Sequence, residues 1–159
     1  MAVKIGKALG TEVTVLSTSE RKRKDAEQLG AFDFGVTSQP ETFTRLQRHF
    51  NFILDTLSAP HNYNTYVNLL KTDGTMILVG APDKPTPLEP FPLILHRRRI
   101  AGSVIGGIRE TREMLDFCAT HNIESDIEVI PIQQVNEANE RVLKGDVRFR
   151  FVIDLTSLK

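Results

Sequence analysis

The stretch that most narrows what this chain can fold into is residues 12–24, EVTVLSTSERKRK. It opens as a strand: Val13, Val15 and Leu16 are apolar or β-branched, with no breaker among them. It turns polar at Ser17, Thr18 and Ser19, and a helix follows over residues 20–29, closed by Gly30. Strand, hydroxyl-rich turn and helix make half of a βαβ unit. The turn falls at the carboxyl end of the strand, the edge at which open parallel sheets bind ligands. No carboxylate ends the strand. Hydroxyls and the basic run Arg21, Lys22, Arg23 and Lys24 occupy the region instead, a donor set suited to a phosphate group. The same residues also fit a capping box from Ser17 to Glu20 and a solvated basic helix face.

The whole chain has 159 residues, one domain or a little more, enough for a real core. Its 20 basic and 20 acidic side chains cancel, which argues against a dedicated nucleic-acid binder. The single cysteine, Cys118, rules out an intrachain disulfide and a cysteine-based zinc cluster, and fits a reducing, cytoplasmic location. No apolar run approaches membrane-spanning length, so no membrane partner is expected. Lys4 and Lys7 interrupt the first apolar pattern, unlike a signal peptide.

Strand and helix patterns alternate along the rest. Met1, Ile5, Ala8 and Leu9 share a helical face that Gly10 ends, so a helix is already under way at the first residue. A doubly wound domain normally opens with a strand and a glycine-rich turn before such a helix, and neither precedes it here. Strands are expected over residues 32–36, 50–57 and 75–80, the middle one (FNFILDTL) apolar enough to be buried on both faces. Helices are expected over residues 40–48 and from Pro60, where Tyr63, Tyr66, Val67 and Leu70 share a face. Five of the eight prolines, at 82, 85, 87, 90 and 92, mark an irregular loop. Residues 91–98 read as a short helix, 100–105 as a sixth strand, and 109–122 as an amphipathic helix with Met114, Phe117, Cys118 and His121 on one face. Beyond a boundary near residues 122–125 come a strand (125–130), a helix (133–143) and an alternating strand, RFRFVIDL (148–155).

With these runs in view, the chain resembles the nucleotide-binding half and C-terminal tail of zinc-type medium-chain alcohol dehydrogenases, in the cinnamyl alcohol dehydrogenase-like branch. The matching runs are MAVKIGKALG, VTVLSTSERKRKDAEQLGA, FNFILDTLSAPH, LLKTDGTMILVGAP, RRRIAGSVIGGIRETREMLDFC and ERVLKGDVRFRFVID. The resemblance implies an α/β fold: a Rossmann-type doubly wound parallel sheet, truncated at its N-terminus, with a short C-terminal αβ tail. Residues 1–122 would be the truncated NADP-binding domain, and 123–159 a segment of the GroES-like catalytic domain. Ser17, Thr18, Ser19 and Lys22, with Arg21 beside them, would receive the adenosine 2′-phosphate. Thr56 and Gly80 would line the cofactor, and Ser103, Val104 and Ile105 would meet the nicotinamide, the substrate site and the dimer contact. The implied chemistry is hydride transfer between NADPH and an aldehyde or alcohol.

Departures from the family matter as much. The zinc ligands of the catalytic domain have no counterpart, so zinc is expected only in a domain absent from this sequence, and no catalytic residue is assigned. The missing first strand would be central, between the strands at Val13 and Ile53. The chain thus reads as a truncated product or fragment, inactive alone, whose exposed sheet edges favour homo-oligomers. Two other readings stay open: a non-catalytic nucleotide-binding or interaction module, and a piece of a zinc-independent quinone oxidoreductase-like reductase. His49, His61, His96 and His121 lack metal-ligand spacing. Asp55 with His61 can be drawn as an acid–base pair, but strand end and helix start explain them as well. Cys118 reads as a packed thiol, and the HRRR run at 96–99 as a basic helix end.

Overall fold

A computed structural model describes residues 1–158. The first half alternates strand and helix as its sequence patterns demand: α1 (Ala2–Ala8), β1 (Thr14–Ser17), α2 (Arg23–Gln28), β2 (Asp33–Val36), α3 (Pro40–Arg45), β3 (Phe50–Asp55), α4 (Tyr63–Val67) and β4 (Leu70–Leu78). Then follow α5 (Phe91–Ile94), β5 (Arg99–Gly102), α6 (Ile108–Thr120), β6 (Glu128–Pro131), α7 (Val135–Leu143) and β7 (Phe151–Asp154). Every strand pairing is parallel. The strands fall into three sheets, ordered β1–β2, β3–β4–β5 and β6–β7.

That division places a break between β1 and β3, where the doubly wound order calls for one more strand. Each half has its own core. In one, Ala26, Phe34 and Val36 pack with Val15 and Ala31. In the other, Val67, Leu70 and Met76 pack with Phe50, Ile53, Tyr63, Tyr66, Leu78, Leu93 and Ile100. The halves meet through α3 and α4. The rings of Phe43 and Tyr66 lie edge to face at 5.8 Å, and the Arg48 N–H donates to the Asn68 carbonyl at 3.2 Å.

Several sequence expectations shift. The strand over 50–57 ends at Asp55, and it is not buried on both faces: Phe52 is 70% exposed and Leu54 49%. It also lies at the edge of its sheet, with one row of backbone groups unpaired. Leu70 is not helical; it starts β4, and the register then jumps from Phe50↔Leu70 to Phe52↔Thr75. The excursion between them carries Asp73 at φ 65°, held by a two-point ion pair with Arg97. The strand over 100–105 stops at Gly102, leaving Val104 and Ile105 outside the ladder. The HRRR run is more than a basic helix end. Arg98 is buried and donates to the carbonyls of Leu70 at 2.6 Å and Pro92 at 3.4 Å, and to Asn68 Oδ1 at 3.2 Å. Cys118 is buried beside the Met114 sulfur, 3.6 Å away.

The tail, β6–α7–β7, docks on the first two helices by charge. Lys4 Nζ lies 3.0 Å from an Asp126 oxygen and donates to the Glu124 carbonyl at 2.8 Å, and Arg148 lies 3.5 Å from Asp25. Its own buried residues are Ile130 and Ala138, while Val129, Val142, Leu143 and Leu155 stay exposed.

Candidate functional site at the carboxyl edge

Parallel pairing in register brings the carboxyl ends of the strands level within each of the first two sheets. Ser17 pairs with Val36, Asp55 with Leu78 and Leu78 with Gly102. The residues beyond those ends are then held by the neighbouring strand's last carbonyls. Thr37 N–H donates to Ser17, Val79 and Gly80 to Asp55, and Ser103 to Leu78, at 2.8, 2.9, 3.3 and 3.0 Å.

At the end of β1, hydroxyls and cations converge. Ser17 Oγ accepts from the Ser19 N–H, and Ser19 Oγ accepts from the Arg21 N–H and Nε, each at 3.4 Å. Ser19, not Ser17, therefore caps the 3-10 turn Glu20–Lys22 that precedes α2. Both serine hydroxyls act only as acceptors in these contacts, so each O–H remains free to donate. Thr18 is exposed, and its carbonyl accepts from Ser38 Oγ at 3.3 Å. Ser38 was not among the residues expected here. Register is the signal that finds it, because β2 ends beside β1 and its next residues reach the same edge. Glu20, the nearest carboxylate, is engaged by Arg23, whose hydrogen bond holds that carboxyl below its ordinary value. Among the described residues Arg21 and Lys22 pair with no carboxylate, and both are exposed.

Thr56 and Gly80, far apart in sequence, are brought together. A Cβ on Gly80 would sit 2.4 Å from the Leu57 carbonyl oxygen and 2.9 Å from the Thr56 carbonyl carbon, so the backbones touch where only glycine fits. Beneath them Asp55 is buried. Its Oδ1 accepts from the Leu57 N–H at 3.1 Å, and its Oδ2 lies 3.0 Å from His61 Nε2. Ser103, Val104 and Ile105 lie beyond β5, with Val104 88% and Ile105 92% exposed. The Ser17–Lys22 cluster thus stands at the carboxyl end of the first sheet, and the Thr56–Gly80 contact and residues 103–105 at the carboxyl end of the second.

Among the described residues no three His, Cys, Asp or Glu side chains are arranged to hold a metal ion. Nor, among those residues, is any helix long and apolar enough to cross a membrane. The donor set at the end of β1 does fit a phosphorylated ribose, with two hydroxyls free to donate and two cations that pair with no carboxylate among the described residues.

Known proteins of this shape and sequence are numerous. The chain is 52% identical, over 158 residues, to the probable formaldehyde dehydrogenase AdhA of Bacillus subtilis, covering 99% of this chain and 45% of that protein. It is 50% identical to NADP-dependent alcohol dehydrogenase C 1 of Mycolicibacterium smegmatis, covering all of this chain and 46% of that one. A cinnamyl alcohol dehydrogenase structure from Sorghum bicolor superposes on the entire chain with a TM-score of 0.95 at 41% identity, over 45% of its own length. This chain therefore spans under half the length of these relatives. A family model described as zinc-binding dehydrogenase matches residues 1–120. By sequence and by fold, the chain belongs to the zinc-binding dehydrogenase family.

Proposed function

We propose that this chain is the NADP(H)-holding part of an alcohol dehydrogenase that moves a hydride between NADPH and an aldehyde or alcohol. The observation that carries the reading is the end of β1: serine hydroxyls free to donate, and Arg21 and Lys22 with no carboxylate partner among the described residues, while the nearby Glu20 is occupied by Arg23. A ribose 2′-phosphate matches this donor set, whereas a bare 2′-hydroxyl would be met by a carboxylate. The relative from M. smegmatis is named NADP-dependent, which supports the choice. Thr56, Gly80 and the exposed 103–105 segment would continue the cofactor's path along the edge toward the nicotinamide.

Bound zinc supplies Lewis-acid polarisation of the carbonyl in this family. Among the described residues no three His, Cys, Asp or Glu side chains are arranged to hold it. We assign residues 123–159 to the catalytic domain's tail, in keeping with the exposed apolar side chains of its described part. The chain alone is then expected to bind cofactor without oxidising alcohols.

Calorimetry tests the reading. NADPH should bind more tightly than NADH, and Ser17→Asp with Lys22→Glu should weaken NADPH by roughly tenfold to a hundredfold, the worth of one or two charge-assisted hydrogen bonds. Equal affinity for the two cofactors, or an unchanged double variant, would remove the phosphate pocket.

A further inference from the structure

Asp55 is the only carboxylate fully buried among the described residues, and its partner His61 is nearly so, their side chains being 5% and 11% exposed. The imidazole bridges two acceptors. Nδ1 lies 2.8 Å from the Ala59 carbonyl oxygen, and Nε2 lies 3.0 Å from Asp55 Oδ2. A carbonyl oxygen only accepts, so a hydrogen bond there requires hydrogen on Nδ1. A carboxylate only accepts as well, so the second contact needs another proton, on Nε2 or on the carboxyl group. Neutral imidazole beside an ionised carboxylate is one proton short of satisfying both contacts.

We propose that the Asp55–His61 pair is a proton-dependent latch that positions the loop after β3 against Gly80. The proposal rests on the reading of this edge as the cofactor's. With the shared proton, the loop of residues 56–60 is tied at three points: Leu57 N–H to Asp55, His61 to Asp55, and His61 to Ala59. Without it, one imidazole contact opens, and the loop backbone that touches Gly80 is released. His61 is thus a positioning residue for Thr56 and for the width of the edge beside Gly80.

Few other groups bear on this proton. From α4, the rings of Tyr63 and Tyr66 stand edge-on to His61 at 4.8 and 5.5 Å. Tyr66 is hydrogen-bonded to Thr37; burial and the charge of Asp55 nonetheless push its hydroxyl above its ordinary value, so it stays neutral throughout. From β3 comes Asp55 itself, and from the loop the Ala59 carbonyl. No lysine, arginine or further carboxylate among the described residues contacts either partner.

The test is hydrogen exchange and histidine-ring nitrogen NMR on the free chain, from about pH 5 to about pH 9, the span in which a histidine switch acts. Protection of the Leu57 amide, the one amide of this loop that is hydrogen-bonded among the described residues, should fall about tenfold, the worth of one hydrogen bond, where the ring nitrogens report the shared proton lost. Amides of Val67 and Met76 should stay unchanged and report the fold. Asp55→Asn separates latch from mere packing. Its amide nitrogen donates to a neutral Nε2, so the loop should stay protected at every pH. His61→Phe keeps the ring packing but should leave the loop open throughout. Loop protection that ignores the His61 titration, or an Asp55→Asn chain that titrates like wild type, would overturn the latch. Because these readouts need no cofactor, a working latch in a chain that fails to bind NADPH would indict the cofactor reading alone.

Discussion

At the scale of single residues, the sharpest constraint is Gly80. Its α-carbon faces the Leu57 carbonyl so closely that a methyl group would lie 2.4 Å from the oxygen and 2.7 Å from the carbon. These are backbone atoms, which cannot rotate away as a side-chain tip does. Gly80→Ala should therefore destabilise the fold by about 1–3 kcal/mol, the range for forcing extra volume into a packed site. Urea unfolding measures it; an unchanged midpoint would mean that β4's end and the loop separate easily. Gly80 was legible in the sequence as a strand-end glycine and, by family likeness, as a cofactor neighbour. Its contact with Leu57 was not legible, because proximity between residues 57 and 80 depends on the β3–β4 register. The Asp55–His61 contact was equally hidden, since two residues six apart meet only if the chain turns back sharply after its strand.

At the scale of elements, helices and strands are joined by specific polar clamps. Thr42 Oγ1 donates to the Val36 carbonyl at 2.7 Å, and Arg45 donates to Asp33 Oδ2 at 2.6 Å, fixing α3 on β2. Burial pushes the Asp33 carboxyl up. Hydrogen bonds from Arg45 and the Phe34 N–H, with the charges of Arg45 and Arg23, more than reverse this and hold it below its ordinary value. A carboxyl lowered by folding stabilises the fold above its unfolded value of about 3.9, and that gain fades as pH falls through the lower folded value. Arg45→Ala should cost about 0.5 kcal/mol near neutral pH, the modest figure for a pair in which one side chain is half exposed. In strong acid its unfolding midpoint should converge with wild type. The order of elements followed readily from periodicity and from glycine and proline punctuation. Their ends did not. Ile100 and Ala101 read on smoothly into Ser103–Val104–Ile105, and only the loss of a ladder partner past Gly102 ends β5. Likewise Leu70 fits the helical spacing of α4, yet the Arg98 guanidinium holds its carbonyl at the start of β4.

At the scale of the molecule, the break between β1 and β3 dominates. Each of these strands pairs along one side only, and Phe52 and Leu54 on β3 are left 70% and 49% exposed. An apolar strand with an open edge invites pairing with another chain. Light scattering over a range of concentrations should show a dimer or larger species, and Phe52→Lys should shift it toward monomer without weakening the fold. A wild-type monomer at every concentration would defeat this expectation. The exposure of Phe52 was not readable in the sequence, since a run apolar at its centre looks the same whether covered or bare.

The uniform direction of the pairings has a kinetic side. No two strands here are joined by a hairpin, so no sheet contact forms between near neighbours in the chain. A chain emerging from the ribosome can close β1 on β2 once Val36 is out, but β3 must wait for Leu70 to begin pairing and for Leu78 to finish it, and β6 for Phe151. Each wait leaves an apolar strand without its partner while loop-closure entropy is still unmet. A protein wired this way collapses before it zips. Its yield in a cell is then governed less by final stability than by how long nascent strands stay apart from those of neighbouring chains.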